Sequence, residues 1–93
     1  ANTYSNRWLT TLTVDPEKSR TDREIVRKKF VEENIDTRPL WKPMHLQPVF
    51  KKAIMYENGV SGRLFNNGLC LPSGTTMNED DLKRVVQIFK SCF

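Results

Sequence analysis

The segment from Thr37 to Pro48 restricts the possible folds of this chain more than any other part of its sequence. It reads T-R-P-L-W-K-P-M-H-L-Q-P and holds three of the five prolines. Each proline fixes its own φ, and it pushes the residue before it toward extended geometry. A regular α-helix is therefore excluded here. We predict instead a stiff, extended segment, which we call the proline ribbon.

The side chains of the proline ribbon suit an anionic ligand that contains a ring. Arg38 and Lys42 supply positive charge, Trp41 supplies a flat aromatic surface, and His45 is the only histidine of the chain. Cations bind phosphate groups, and aromatic faces attract cations and other rings. Each residue also has a structural interpretation, because tryptophan often packs in a core and arginine often pairs with a carboxylate. From the residues alone, the ribbon is a candidate binding element and not an active site.

Length and composition restrict the class of protein. Ninety-three residues suffice for one small domain with one core. No apolar run is long enough to span a bilayer, and the first residues lack the apolar stretch of a secretory signal. The spacing of Cys70 and Cys92 fits no metal motif, and a single histidine does not complete one. We therefore predict a reduced, cytoplasmic protein with no metal site and no membrane partner.

The charge of the chain leaves more than one kind of partner open. The net charge is +4 and the pI is about 9.3, a balance that can indicate nucleic acid or phosphate ligands. Acidic residues lie among the basic ones, however, and this favours a solvated surface of mixed charge over nucleic-acid binding. A stand-alone basic module for phosphate ligands or nucleic acid stays an alternative. So does a structural domain that contributes only packing and a dimer surface.

The hydrophobic pattern predicts an α+β domain, with helices packed on one small sheet of short strands. Thr21 or Asp22 can cap one helix, Asn78 can cap another, and Asn34 can end the first in a left-handed conformation. We expect strands at residues 7–15 and 69–71, and helices at residues 19–34, 49–55, 61–67 and 78–93. The predicted core consists of Leu9, Leu12, Ile25, Val26, Phe30, Leu82, Val85, Val86 and Phe89.

Four segments of the chain occur in a familiar order. They are S-N-R-W-L-T-T from Ser5, I-D-T-R-P-L-W-K-P-M-H-L-Q-P from Ile35, L-C-L-P-S-G-T-T-M from Leu69 and N-E-D-D-L from Asn78. Together they resemble the carboxy-terminal domain of the DegT/StrS-type sugar aminotransferases, pyridoxal-phosphate enzymes of the aspartate aminotransferase fold. The resemblance covers nearly the whole chain.

The resemblance implies a fold and a domain organisation. The small domain of such enzymes has an antiparallel sheet of about three short strands covered by helices, so residues 1–93 would form one carboxy-terminal small domain. The enzymes themselves are several times longer. Their cofactor-binding lysine, the aspartate beside the pyridine nitrogen and the aromatic residue on the cofactor ring lie in a large domain that this sequence lacks. We therefore expect a fragment that neither binds pyridoxal phosphate nor transaminates by itself.

The resemblance also implies a role for the longer parent. The form R-P-L-W-K-P-M-H resembles family members that aminate UDP-linked 4-keto-6-deoxy sugars in surface-glycan pathways. An amino donor, glutamate, would supply the amino group through pyridoxal phosphate to the C4 keto carbon, in a homodimeric enzyme. The small domain would close one wall of the substrate site. The candidate substrate-binding residues are Arg38, Trp41, Lys42, His45, Asn6 and Arg7, and no catalytic residue is assigned in this chain.

Overall fold

The computed structural model describes residues 2–93 and has a three-stranded antiparallel sheet at its centre. The strands are β1 (Thr10–Thr13), β2 (Arg38–Pro39) and β3 (Gly68–Leu71), in the order β1-β3-β2. The helices are α1 (Pro16–Ser19), α2 (Arg23–Glu32), α3 (Val60–Asn67) and α4 (Glu79–Lys90). The predicted α+β class with a small antiparallel sheet covered by helices is confirmed.

The strand register fixes which side chains share a face of the sheet. Leu69 of β3 lies opposite Leu12 of β1 and Pro39 of β2, while Cys70 lies opposite Thr11 and Arg38. Because neighbouring residues of a strand point to opposite faces, Leu69 and Cys70 face different sides of the sheet. Pro39 sits in an edge strand, where its missing N–H removes no necessary ladder bond.

The two longer helices are capped as their sequences suggest. The Asp22 carboxylate accepts hydrogen bonds from the backbone N–H groups of Glu24 and Ile25, at 2.8 and 2.9 Å. At α4, the Asn78 side chain accepts from the N–H of Asp81, and the Asp81 carboxylate accepts from the N–H of Asn78. This reciprocal pair forms a capping box that satisfies donors with no partner in the first turn. The predicted left-handed Asn34 is also confirmed, with φ of 58°.

Several predicted element boundaries are wrong. The first strand is limited to Thr10–Thr13 because the residues before it form tight turns. The helix predicted at residues 19–34 begins only at Arg23, where Asp22 caps it, and a short helix that was not predicted, α1, precedes it with Asp15 as its cap. The helix predicted at residues 49–55 is a 3-10 helix, Pro48–Phe50, followed by a turn. A second 3-10 helix, Met44–Leu46, precedes it.

The core lies between β3 and the inner faces of α2 and α4. Its buried residues are Val14, Val26, Phe30, Leu69, Val85 and Ile88. Leu12 and Phe89 pack at its edge as partly buried residues. The prediction was right for Val26, Phe30 and Val85. It was wrong for Leu9, Ile25, Leu82 and Val86, which are exposed. Leu9 lies before β1, outside the sheet, and the buried stripe of α2 and α4 is narrower than the apolar pattern suggests.

Within residues 2–93, every helix is too short or too polar to cross a membrane. The longest helix, α4, has twelve residues and begins with three acidic ones. The same residues contain no group of three or more histidine, cysteine, aspartate or glutamate side chains placed to hold a metal ion.

We predict that Phe30→Ala lowers the free energy of unfolding by about 3–5 kcal/mol, because it leaves a cavity in the core. The Phe30 side chain is fully buried, whereas Phe93, at the end of the chain, is 59% exposed. Phe93→Ala is the matched control and should cost less than about 1 kcal/mol. Chemical denaturation of both variants measures the difference. Equal losses would show that the core does not centre on Phe30.

We also predict opposite effects at two glycines. A Cβ at Gly68 would overlap the Leu40 side chain and the backbone oxygen of Leu64, while a Cβ at Gly62 in α3 meets open space. Gly68→Ala should therefore destabilise the fold by about 1–3 kcal/mol through overpacking. Gly62→Ala should stabilise it by about 0.5–1 kcal/mol through helix propensity. A Gly68→Ala melting temperature at or above that of the parent chain would contradict the close approach of Leu40 to β3.

Candidate functional site: an aromatic pocket beside the central strand

The proline ribbon begins as part of the sheet and then leaves it. Arg38 and Pro39 pair with β3, and the N–H of Leu40 donates to the Gly68 carbonyl at 3.2 Å. After Pro43 the backbone turns into the 3-10 helix Met44–Leu46. The Gln47 side chain then donates to the Lys42 carbonyl at 3.1 Å, which fixes the bend. The first part of the ribbon is therefore held by β3 and the second by its own short-range bonds.

An open cavity of about 320 Å³ lies where the ribbon leaves the sheet. Its walls come from the residues before β1, from both sides of β2 and from the end of β3. They are Trp8, Leu9, Asp36, Thr37, Arg38, Pro39, Trp41, Cys70, Leu71, Pro72 and Ser73. We call this cavity the aromatic pocket, because both tryptophans of the chain line it.

The two tryptophans lie side by side. The centroids of the Trp8 and Trp41 rings are 5.6 Å apart, and the ring planes are tilted by 36°. Both residues are mostly solvent-exposed, at 65% and 59%. Two large aromatic residues that contact each other and still face solvent offer a broad apolar surface, which is typical of a binding site.

A tight turn directs Trp8 into this position. The Ser5 hydroxyl accepts from the N–H of Arg7, and the Asn6 side-chain oxygen accepts from the N–H of Trp8, both at 3.1 Å. Arg7 has a left-handed backbone, with φ of 52°, which is uncommon for a residue other than glycine. Asn6 thus positions Trp8, while Arg7 lines a separate cavity of about 390 Å³ next to Ser73 and Asn78.

Ser73 connects the two outer walls of the pocket. Its hydroxyl accepts from the N–H of Thr10 at 2.9 Å and donates to the carbonyl of Leu71 at 3.0 Å. The first residue of β1 is therefore tied to the segment that follows β3. This bond holds the Trp8 side of the pocket against the central strand.

The polar part of the pocket is formed by three consecutive residues. Arg38 Nε donates to Asp36 Oδ2 at 3.0 Å, and both side chains are largely exposed, at 77% and 71%. Thr37, between them, is buried, and its hydroxyl has no hydrogen-bond partner among residues 2–93. A buried polar group without a partner is unusual in a folded protein and needs an explanation.

Cys70 lies on the wall of the aromatic pocket without the properties of a nucleophile. Burial raises the pKa of its thiol above the ordinary value. The thiol therefore stays protonated at neutral pH, and the reactive thiolate form is suppressed.

The structure brings together only part of the predicted site. Arg38 and Trp41 line the aromatic pocket, whereas Lys42 and His45 lie farther along the ribbon, and Asn6 and Arg7 lie before Trp8. Sequence reasoning missed Trp8, Asp36, Thr37 and Ser73. The sequence predicts Trp8 only as a strand residue. The presence of a second tryptophan in the chain was the one sequence feature that could have indicated a place for Trp8 beside Trp41.

The residues of this chain do not fit a pyridoxal phosphate site. That cofactor requires a lysine amine beside its aldehyde carbon, within a site that also binds its ring and phosphate. Five cavities among residues 2–93, the aromatic pocket included, have no lysine in their walls. Seven of the eight lysines are exposed, and Lys29, the partly buried one, pairs with Glu32 at 3.3 Å. No chemical step is therefore assigned to the cofactor here.

Comparisons with known proteins agree with the fold described above. A candidate pyridoxal phosphate-dependent aminotransferase of Bacillus subtilis (strain 168), EpsN, is 46% identical over 93 residues, covering 96% of this chain. The chain spans only 23% of the length of that relative. A solved structure of a candidate sugar aminotransferase from Streptococcus pneumoniae, Spr1654 in its PMP form, has the same fold, with a TM-score of 0.73. It is 17% identical, and the match covers 90% of this chain and 21% of that one.

The sequence profile of one family covers almost the whole chain. Residues 1–90 match the DegT/DnrJ/EryC1/StrS aminotransferase family. The match includes every strand and helix of the structure. The chain therefore belongs to the DegT/DnrJ/EryC1/StrS aminotransferase family.

Proposed function

We propose that residues 1–93 form the carboxy-terminal small domain of a longer, pyridoxal-phosphate-dependent aminotransferase. Its substrate in this proposal is a nucleotide-linked, UDP-type 4-keto-6-deoxy sugar, and glutamate is the amino donor. The amino group leaves the donor, which takes an oxygen atom from water and becomes a keto acid. The amino group arrives at C4 of the sugar, which loses its keto oxygen as water. Membership of the aminotransferase family supports this proposal. The product would be an amino sugar for surface-glycan synthesis.

Exposed apolar side chains support a domain that is part of a longer protein. Between the 3-10 helix Pro48–Phe50 and α3 every residue is exposed, and Ile54 and Tyr56 are 90% and 97% exposed. The radius of gyration is 15.5 Å, compared with about 12 Å for a compact domain of this length. Large exposed apolar surface is normally covered by another protein surface. In the proposed parent it would be covered by the large domain or by the second subunit of a homodimer.

The observation that carries the role of this domain is the placement of Arg38 and Trp41 on one open pocket. A guanidinium group and an aromatic ring that are both exposed match a ligand with an anionic part and a ring. Lys42 and His45 follow on the same ribbon and extend this surface beyond the pocket. We assign Arg38, Lys42 and His45 to the diphosphate or the sugar hydroxyls, and Trp41 to a ring of the substrate. Asn6 is assigned to the positioning of Trp8, and Arg7 to the edge of the substrate-binding surface.

Arg38 has a competing structural role, and its exposure makes that role small. It pairs with Asp36, but both side chains are in solvent. An exposed ion pair contributes about 0–1 kcal/mol to stability. A charge-assisted hydrogen bond to a substrate phosphate is worth about 1.5–3 kcal/mol. The two roles therefore predict effects on different quantities.

The distribution of charge weighs against the alternative of a nucleic-acid-binding module. Six of the fifteen lysine and arginine side chains pair with a nearby carboxylate, namely Lys18 with Asp15, Arg27 with Glu24, Lys29 with Glu32, Arg38 with Asp36, Lys83 with Asp80 and Arg84 with Glu33. A nucleic-acid surface needs a continuous stripe of unpaired positive charge. We therefore propose no nucleic-acid partner and no membrane partner, and we place the parent in the cytoplasm.

We predict that Arg38→Ala in the full-length parent raises the Michaelis constant for the keto sugar by roughly 10- to 150-fold, through the lost charge-assisted hydrogen bond to the substrate. The melting temperature should change little, because the Asp36–Arg38 pair is exposed. The control is Arg63→Ala, since Arg63 is an exposed arginine on α3 outside the aromatic pocket. Unchanged kinetics with a lowered melting temperature would show that Arg38 only braces the ribbon.

A further inference from the structure

The geometry of the tryptophan pair determines where a ring can bind. A ring inserted between two indoles needs roughly 7 Å between them, which is twice the contact distance of two carbon atoms. The ring centroids of Trp8 and Trp41 are only 5.6 Å apart. A ligand ring must therefore stack on an outer face of the pair, where both residues are exposed.

The charge of the aromatic pocket favours the uncharged part of a ligand. Asp36 and Arg38 are its two ionised residues, and they neutralise each other at 3.0 Å. A phosphate group in the pocket would meet the Asp36 carboxylate as well as the Arg38 guanidinium. The pocket consequently suits a neutral ring, while the phosphates of the same ligand would lie toward Lys42 and His45.

The distribution of polar groups favours a base over a sugar. Leu9, Pro39, Leu71 and Pro72 make most of the wall apolar, and the polar groups are confined to residues 36–38. A hexose carries hydroxyls around its whole rim, and many of them would lose their water without gaining a partner. Uracil, the pyrimidine base of a UDP sugar, has two apolar faces and a single polar edge, on which one N–H lies between two carbonyl groups. Asp36 can accept from that N–H, and Arg38 can donate to a carbonyl.

Thr37 supplies an independent observation. Its side chain is buried in the wall of the pocket, and its hydroxyl has no partner among residues 2–93. The hydroxyl oxygen is itself inaccessible, so a bound ligand or a water completes its hydrogen bonding only when the wall of the pocket opens around it.

We infer that the aromatic pocket binds the pyrimidine base of the nucleotide sugar. The base stacks on the outer face of the Trp8–Trp41 pair, and its polar edge faces Asp36, Thr37 and Arg38. This inference rests on the proposed function for the identity of the ligand. It adds Trp8, Asp36 and Thr37 to the substrate-binding residues, and it places Arg38 at the polar edge of the base, so that the diphosphate is left to Lys42 and His45.

The chain carries its own reporter for this test. Both of its tryptophans line the pocket, so the whole indole fluorescence comes from the proposed site. We would titrate the 93-residue chain with uridine, with adenosine and with a methyl hexoside, and record the emission. We expect saturable quenching by uridine, weaker binding of adenosine, and no saturable change with the hexoside.

Variants separate stacking from edge recognition. Stacking of a base on an aromatic side chain contributes enough for Trp41→Ala to weaken uridine binding by roughly 5- to 150-fold. Trp41→Phe should restore most of the affinity, because it keeps an aromatic face. Asp36→Asn should weaken uridine binding more than the binding of adenosine, since it changes the partner of the pyrimidine N–H.

Two threonines provide a matched control for the buried hydroxyl. Thr21, like Thr37, is buried and has a hydroxyl without a partner among residues 2–93, but it lies outside the pocket. Valine at either position removes the hydroxyl and keeps the shape, so neither Thr37→Val nor Thr21→Val should lower the melting temperature. Only Thr37→Val should weaken uridine binding, by at least about five-fold.

Each outcome decides the inference. If the hexoside quenches the fluorescence and uridine does not, the pocket binds the sugar. If uridine and adenosine bind equally well, the pocket has no preference for a pyrimidine. If no probe gives a saturable change, the pocket does not bind the ligand. Each of these results overturns the inference. A parent enzyme that still aminates the nucleotide sugar in that case leaves the proposed function standing. Uridine binding by a parent that lacks transaminase activity would contradict the proposed function alone.

Discussion

The pairing of both outer strands with β3 is the constraint on which the rest of this structure depends. β1 and β2 do not pair with each other, and each is bonded to β3 instead. One side of β3 presents Leu69 to the core formed with α2 and α4. The other presents Cys70 beside Arg38 and Thr11. A single four-residue strand thus connects the hydrophobic core with the aromatic pocket.

This arrangement explains why two distant segments form one site. Trp8 lies just before β1 and Trp41 just after β2, and their rings meet because both strands align on β3. Ser73 strengthens the connection, since its hydroxyl ties Thr10 to the end of β3. Gly68 contributes at the other end, where the absence of a side chain lets Leu40 approach the strand closely. The site is consequently a product of long-range pairing, and its residues are only partly adjacent in the sequence.

Local features of the fold could be predicted from the sequence, and long-range ones could not. The caps at Asp22 and Asn78 and the left-handed Asn34 depend on neighbouring residues, and they were recognised. Ile25 and Val26 have similar side chains, yet only Val26 is buried, because it lies on the face of α2 that meets the core. In the site, Arg38 and Trp41 were predicted from the proline ribbon. Trp8 and Thr37 were not, since their roles follow from strand pairing and burial.

The most direct test of this account is an NMR measurement of the distance between the two indole rings. In the isotope-labelled 93-residue chain, nuclear Overhauser effects should connect ring protons of Trp8 with ring protons of Trp41, because the ring centroids are 5.6 Å apart. Cross-strand effects from β3 to both β1 and β2 should appear in the same spectrum. Cross-strand effects without any contact between the two indoles would contradict the claim that β3 assembles the pocket.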